Sequence, residues 1–395
     1  MFILVLTSCV SEGGNAPTDS STERDDIFTE TLSDTASQTE EETEKAIETV
    51  HDNVSAEEEA QRILAEMTLE EKIGQLFLAR NPKTEDEGLA LIREKNVGGI
   101  IFFGRDFKNS TPEKFKALIS SYASSSAIPL LTAVDEEGGD VCRVSNYKAF
   151  RDEKFLSPSE LYAEGGMERI LSDCDEKSRF LLSLGLNFNL APVVDISADE
   201  NDFIHHRALG MGRDETAEYA RAIIKRMNEN GILSALKHFP GYGNNEDTHT
   251  GIAYDSRSLE YLRQNDLVPF ACAINEGAPV AMVSHNVMIS LDAERPASLS
   301  AKTYELLRNE LGFGGVIMTD DLSMGAIGDF THSGEAAVLA IEAGADLLCC
   351  SDIEVQYSAL LEAVENGRIS IGRIEDSVLR LLKMKVDYGI IVPSY

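Results

Sequence analysis

Residues 232–243 read ILSALKHFPGYG, and this stretch indicates how the chain folds. It begins as a short apolar run and delivers two polar side chains, Lys237 and His238, where the run ends. The Pro and Gly residues that follow are typical of a loop. A continuously apolar run of this length predicts a strand that is buried on both faces, as in a parallel sheet.

Seven other apolar runs have the same character, and longer amphipathic stretches separate them. The eight runs are residues 75–79, 97–103, 129–134, 186–194, 232–236, 279–283, 315–318 and 345–350. Helical patterns cover residues 112–124, 214–230, 301–311, 334–343, 353–366 and 374–388. Eight strands that alternate with helices favour an α/β fold, a (β/α)8 TIM-type barrel, over a doubly wound open sheet. No Gly-x-Gly-x-x-Gly motif follows the first run, so the open sheet lacks its dinucleotide signature.

Polar side chains gather directly after five of these runs. They are Asp135-Glu136-Glu137, Asp195, Lys237-His238, Ser284-His285-Asn286 and Asp320-Asp321. A closed barrel brings all of its strand ends around one mouth, where catalytic groups sit. A charged residue after one strand is commonly a helix cap, but the recurrence at five strands favours a shared site.

Two segments carry side chains suited to acid–base and nucleophilic chemistry. Asp247 and His249 are two residues apart in a loop, and side chains at this spacing share a face of an extended chain. A carboxylate beside an imidazole raises its pKa and fixes its tautomer, which makes a usable general acid. The alternative is a solvated loop. Asp320 and Asp321 offer a nucleophile for an electrophilic carbon, while helix capping or metal ligation remains the alternative.

These segments belong to an ordered set of motifs that resembles glycoside hydrolase family 3, and within it the single-barrel β-N-acetylglucosaminidases. The resemblance spans about residues 62–392 and rests on MTLEEKIGQL (67–76), VGGIIFFG (97–104), DEEGG (135–139), APVVD (191–195), KHFPG (237–241) and TDDL (319–322). It implies that Asp320 is the nucleophile, that His249 is the acid/base and that Asp247 is its partner. It also implies that Asp135, Arg143, Arg207, Lys237 and His238 bind sugar hydroxyls or the acetamido group, and that His285 lies near the site.

The resemblance implies a retaining exo-β-N-acetylglucosaminidase that acts on cell-wall fragments or related glycans. Asp320 would form a covalent glycosyl-enzyme, and His249 would protonate the leaving oxygen and then activate water. No metal or organic cofactor is implied. The alternatives are a β-N-acetylglucosaminide phosphorylase or a β-glucosidase of the same fold, and a surface lipoprotein that binds glycans without turnover.

The chain departs from the usual family pattern at three places. Tyr242 stands where His is common, and the loop 243–247 is one residue shorter than the commonest form. Asp140 stands where Arg usually follows the two glycines. Asp140 therefore removes a cation near the mouth of the sugar site, which leaves the aglycone preference open.

The overall composition excludes several other classes of function. The 395 residues carry a formal net charge of −33, which argues against nucleic acid as a partner and against electrostatic docking on anionic lipid. No run of about 18 apolar residues predicts a transmembrane helix. The five cysteines after Cys9 show no C-x-x-C spacing, so neither a zinc site nor a disulfide scaffold is predicted.

The N-terminal residues predict an anchor and a tether. Residues 1–9, MFILVLTSC, resemble the end of a bacterial lipoprotein signal in which Cys9 is lipidated, although no Lys or Arg precedes Cys9. Residues 10–57 are acidic and rich in Ser and Thr, which predicts a disordered linker before a barrel domain at 58–395. We expect a monomer at the bacterial cell surface that meets the membrane only through Cys9, with a GlcNAc-containing glycan as its partner. An accidental apolar start would instead indicate a cytoplasmic protein.

Overall fold

The computed structural model describes residues 55–393, apart from residues 244, 246, 247, 249 and 250. The predicted dyad residues Asp247 and His249 lie outside the described residues, as does Cys9. The predicted domain boundaries at residues 9 and 57 therefore stay predictions.

Eight parallel strands form the central sheet of the described region. They are β1 (Phe77–Arg80), β2 (Gly99–Phe102), β3 (Leu131–Val134), β4 (Phe188–Asn189), β5 (Leu233–Phe239), β6 (Val280–Val283), β7 (Val316–Thr319) and β8 (Leu348–Cys350). Each strand overlaps one of the predicted apolar runs. Neighbours are hydrogen-bonded in the order β7-β6-β5-β4-β3-β2-β1-β8, and every pair is parallel.

The two end strands of this order also meet, which closes the sheet. A parallel bridge joins Met318 of β7 to Leu347, directly before β8. The backbone N–H of Thr319 donates to the carbonyl of Leu347 at 3.0 Å. The predicted (β/α)8 barrel is therefore confirmed, and the open sheet is excluded.

Helices connect and surround the strands. They are α1 (Ala56–Glu66), α2 (Leu69–Gln75), α3 (Glu85–Lys95), α4 (Gly104–Phe107), α5 (Pro112–Ser125), α6 (Pro158–Ser183), α7 (Arg213–Glu229), α8 (Leu259–Gln264), α9 (Leu267–Asn275), α10 (Ala301–Glu305), α11 (Gly325–Phe330), α12 (Ser333–Ala343), α13 (Ile353–Glu365) and α14 (Ile371–Asp387). A π-helical turn, Leu306–Glu310, continues α10. Capping boxes begin α1, α2, α3 and α6, where a Ser or Thr and a Glu three residues later satisfy each other's backbone N–H groups.

The barrel interior and the inner faces of the helices form one core. Every residue of β2, β3, β5, β6 and β7 is buried, because side chains on one face fill the barrel and those on the other face meet the helices. A short antiparallel hairpin, Glu136–Gly138 with Val141–Cys142, follows β3. Tyr254–Asp255 pairs in parallel with Val287–Met288. No helix in the described region combines the length and apolarity needed to cross a bilayer.

Candidate active site

A cavity of about 760 Å³ lies at the carboxyl ends of the barrel strands. Of the eight predicted site residues, the six that the structure describes all line it: Asp135, Arg143, Arg207, Lys237, His238 and Asp320. They come from the segments after β3 and β4, from β5 itself and from the end of β7. Thr248, the residue between the predicted dyad positions, also lines the cavity. The barrel therefore brings together residues that are remote in the sequence.

Two carboxylates and two cations form a buried cluster on one wall. The Nζ of Lys237 lies 2.8 Å from Oδ1 of Asp135 and 2.6 Å from Oε1 of Glu137. Arg207 binds Glu137 with both edges of its fork, Nε to Oε2 at 2.9 Å and Nη2 to Oε1 at 2.8 Å. Burial alone would raise the pKa of Glu137, but the charges of Arg207 and Lys237 outweigh it and hold that pKa well below its usual range. Glu137 is therefore ionised, and the members of the cluster fix one another in place.

The same segment orients its side chains alternately to the two sides. Asp135 and Glu137 both reach Lys237, while Glu136 points away from it. The Glu136 carboxylate accepts backbone N–H groups of residues 143–145 at 2.7–3.1 Å. Glu136 therefore holds the chain that carries Arg143, whose Nε lies 3.9 Å from Oδ2 of Asp135.

His238 is held in one tautomer by its two neighbours. Its Nδ1 donates to Oδ2 of Asp195 at 2.7 Å, and its Nε2 lies 3.1 Å from Nη2 of Arg207. Because Arg207 can only donate, Nε2 is the acceptor in this contact and Nδ1 is the donor to Asp195. The second oxygen of Asp195 accepts the backbone N–H of Tyr242 at 2.7 Å. Asp195 thus fixes His238 against the start of the following loop.

Asp320 and Asp321 are adjacent but have different surroundings. Oδ1 of Asp320 accepts the backbone N–H of Asp321 at 2.8 Å. Burial would raise the pKa of Asp320, but His285, His238, the Asp321 N–H and Lys237 lower it, and the net shift is downward. Asp321 is occupied by Ser351, whose hydroxyl donates to Oδ2 at 2.5 Å. Asp320 is therefore the ionised carboxylate that remains available to a ligand in the cavity.

His285 lies behind this pair and is fully buried. Its Nε2 donates to the backbone carbonyl of Asp321 at 3.0 Å, and its Nδ1 is 2.7 Å from the hydroxyl of Ser298. It is absent from the cavity lining among the described residues. His285 therefore supports the segment that carries Asp320 from outside the cavity.

The part of the chain that the structure describes was searched for side chains that could bind a metal ion. Within them, no group of three or more His, Cys, Asp or Glu side chains is arranged to hold a metal ion. The carboxylates on the cavity wall are instead paired with Lys237 and Arg207.

The sequence placed Glu137 and Asp195 among the polar strand-end residues expected to share a site, but it gave neither of them a specific role. It gave no site role to Tyr242 or Thr248. A signal for Glu137 existed, because residues two apart on an extended chain share a face and Asp135 was already a predicted sugar ligand. No signal for Thr248 existed, since its position depends on a contact with a tyrosine six residues earlier.

A closed parallel barrel with an ionised aspartate and a basic wall at the carboxyl ends of its strands has the architecture of a barrel enzyme. The model of the family described as "Glycosyl hydrolase family 3 N terminal domain" matches residues 68–384. The chain belongs to glycosyl hydrolase family 3, and thus to the glycoside hydrolases that act on O-glycosyl bonds.

Relatives of known name cover most of the described region. The Beta-hexosaminidase of Methylococcus capsulatus is 31% identical over 305 residues, which is 75% of this chain and 88% of that protein. Beta-hexosaminidase LpqI of Mycobacterium tuberculosis is 30% identical over 326 residues, covering 80% and 82% of the two chains. Beta-hexosaminidase A of Pseudoalteromonas piscicida is 32% identical over 323 residues, but this chain spans only 54% of its length.

Solved structures show the same architecture. A glycoside hydrolase family 3 beta-N-acetylglucosaminidase from Paenibacillus has a TM-score of 0.77 and 34% identity, and the match covers 83% of this chain and 64% of that chain. The structure of M. tuberculosis LpqI has a TM-score of 0.75 and 28% identity, covering 82% and 96%.

Proposed function

We propose that the protein is a retaining exo-β-N-acetylglucosaminidase that forms a covalent glycosyl-enzyme on Asp320. The observation that carries this proposal is the shared cavity, which joins an ionised Asp320 to a wall of ion-paired Lys237, Arg207 and Asp135. The names of the relatives support the substrate, because three of them are called beta-hexosaminidase and a solved structure is called a beta-N-acetylglucosaminidase.

The wall is suited to a neutral, hydroxyl-rich ring. Lys237 uses two of its three N–H donors on Asp135 and Glu137, and we assign the third to a sugar hydroxyl. The buried Nε of Arg143 has no hydrogen-bond partner among the described residues. A buried donor without a partner is costly, and a bound sugar oxygen would satisfy it. Arg207 and His238 complete the set that we assign to the hydroxyls and the acetamido group.

The reaction proceeds in two steps. Asp320 attacks the anomeric carbon, while His249, protonated and paired with Asp247, gives its proton to the leaving oxygen. Neutral His249 then takes a proton from water, which attacks the glycosyl-enzyme and frees Asp320. Two inversions give net retention.

A trapping experiment tests the nucleophile. The protein is incubated with a 5-fluoro β-N-acetylglucosaminyl fluoride, digested, and examined by mass spectrometry for the labelled peptide. We expect the label on Asp320, and Asp320→Ala should lose both label and turnover while keeping its circular dichroism spectrum. Asp321→Asn is the matched control, because the Asp321 carboxylate is next to Asp320 but is hydrogen-bonded to Ser351. This variant should still be labelled at Asp320. A label elsewhere, or an active Asp320→Ala, would overturn the assignment.

Analysis of the reaction product separates hydrolysis from phosphorolysis. Turnover of aryl β-N-acetylglucosaminide in phosphate buffer should give free N-acetylglucosamine with a β anomer first, observed by NMR. A sugar 1-phosphate as the main product would replace the hydrolase proposal with the phosphorylase.

We further propose that the enzyme works outside the cytoplasm on cell-wall fragments, tethered by a lipid on Cys9. An Arthroderma benhamiae relative, 32% identical over 308 residues, is named as a secreted glycosyl hydrolase, which supports an exported site of action. Metabolic labelling with a palmitate analogue should mark the full chain in a bacterial host, and Cys9→Ala should abolish the label. An unlabelled wild-type chain would contradict the anchor.

A further inference from the structure

Tyr242 connects two parts of the site that the mechanism uses separately. We propose that Tyr242 is a positioning residue that fixes the segment carrying the acid/base, by holding the backbone of Thr248. The inference rests on the proposed acid/base role of His249, which directly follows Thr248 in the sequence.

Tyr242 contacts both Thr248 and the sugar-binding wall. Its hydroxyl accepts the backbone N–H of Thr248 at 2.9 Å and lies 3.0 Å from the Thr248 hydroxyl. Its own backbone N–H donates to Asp195 at 2.7 Å, and its ring meets the His238 ring edge-on with centroids 5.6 Å apart. One buried side chain therefore joins the sugar-binding wall to the residue between the two predicted dyad positions.

Charged and polar groups also hold the backbone of Gly241 and Tyr242, where this loop begins. Arg257 donates to the carbonyl of Gly241 at 3.1 Å while it pairs with Asp255 and Asp266, each at 2.6 Å. The side-chain amide of Asn245 donates to the carbonyl of Tyr242 at 2.8 Å and to Asp255 at 3.0 Å. The position from which the Tyr242 side chain extends is therefore itself fixed.

Thr248 is held from the opposite side as well. Its backbone carbonyl accepts the N–H of Ala326, in α11, at 3.3 Å. This helix follows the loop after β7 that carries Asp320. Thr248 thus lies between an element attached to the sugar-binding wall and one attached to the nucleophile segment. A general acid needs such placement, because small displacements from the productive geometry cost large factors in rate.

Tyr242→Phe isolates the hydroxyl, since phenylalanine keeps the ring packing and removes both contacts with Thr248. The measurement is kcat/KM on two β-N-acetylglucosaminides, one with a 4-nitrophenyl leaving group and one with a methyl group. Proton donation matters little for the first and greatly for the second. Loss of two neutral hydrogen bonds predicts that the methyl glycoside loses about tenfold more activity than the nitrophenyl glycoside.

Tyr388→Phe is the matched control. Its hydroxyl donates to Asn228 at 2.6 Å, and neither residue lines the cavity. This variant loses a phenol hydrogen bond without touching Thr248, and the ratio of kcat/KM between the two substrates should stay at its wild-type value.

Azide rescue is a second test of Tyr242→Phe. Added azide should restore turnover of the nitrophenyl glycoside where deglycosylation limits it, because azide attacks the glycosyl-enzyme without a general base.

His249→Ala is measured beside these variants to separate the proposed acid role of His249 from the proposed positioning role of Tyr242. If His249→Ala shows no preference for the better leaving group, the acid role itself is wrong. If His249→Ala is selective but Tyr242→Phe lowers both substrates equally or neither, the acid stands and the positioning role of Tyr242 is refuted.

Discussion

Glu137→Gln is the most informative single change in the cavity wall. It removes one charge and keeps the shape of the side chain. In the wild type, this carboxylate accepts two bonds from Arg207 and one from Lys237, at 2.6–2.9 Å, and its side chain is only 2% exposed. After the change, Lys237 keeps Asp135 at 2.8 Å, whereas Arg207 keeps no carboxylate within 4 Å among the described residues.

The expected loss of stability follows from this burial. Removing one partner of a buried, hydrogen-bonded ion pair costs about 3–5 kcal/mol, mainly because the other charge is left buried without compensation. Asp135 still compensates Lys237, so we expect the lower part of this range, about 3 kcal/mol. For a domain of this size that corresponds to a fall in Tm of roughly 5–10 °C.

Glu310→Gln is the matched control. Arg263 binds Glu310 with the same two-edged geometry, at 2.6 and 2.8 Å, but these side chains are 43% and 39% exposed. A solvated pair of this kind contributes about 0–1 kcal/mol. Urea unfolding at pH 7 and calorimetry on the two variants give the comparison directly.

The pH dependence provides a second test of the same reasoning. The pKa of Glu137 is depressed in the folded protein, so its contribution is present above the ordinary pKa of a glutamate and is lost as the pH falls through the depressed value. The stability gap between wild type and Glu137→Gln should therefore narrow in strong acid. Equal losses for Glu137→Gln and Glu310→Gln at pH 7 would refute the argument that burial decides the size of the effect.

Two further substitutions test a buried lysine in the core, Lys385, and an exposed carboxylate of the cavity lining, Asp140. Burial lowers the pKa of Lys385 to about 7, so between pH 7 and its ordinary value the unfolded chain binds a proton that the folded chain lacks. The free energy of unfolding should rise across that window by on the order of 5 kcal/mol, and Lys385→Met should flatten the rise in urea titrations at several pH values. Asp140 is exposed on the cavity lining; Asp140→Arg should raise kcat/KM for a 4-carboxyphenyl glycoside over the phenyl glycoside by about fivefold at low salt, and less at high salt.

The strands were predictable because burial on both faces leaves a direct trace in the sequence. Each apolar run coincided with a barrel strand, although β4 is only two residues long within the run 186–194. The helix predicted over 301–311 divides into α10 and a π-helical turn. This difference has a local cause in hydrogen-bond register, which hydrophobic periodicity does not report.

The site was predictable only in part, for a related reason. Lys237 and Asp320 follow or end apolar runs, so their place at the mouth follows from the barrel. The partnership of Glu137 with Arg207 joins positions 70 residues apart, and that of Tyr242 with Thr248 depends on the path of a loop. Neither contact is encoded in the spacing of residues along one element, because both depend on how distant parts of the chain meet in the folded protein.

The charge of the cavity favours water over phosphate as the second reactant. Its described lining holds five carboxylates, on Asp135, Glu137, Asp140, Asp320 and Asp321, against three permanent cations, on Arg143, Arg207 and Lys237. Two of these cations are already engaged by Glu137 and Asp135. Asp320 is esterified in the proposed glycosyl-enzyme, so an incoming phosphate dianion would meet four carboxylates against three cations, a net formal charge of −1. Water meets no such barrier. The proposed sugar substrate is neutral and needs no cation for binding. The same arrangement that keeps Lys237 and Arg207 in place as hydrogen-bond donors would therefore also favour hydrolysis of the proposed glycosyl-enzyme.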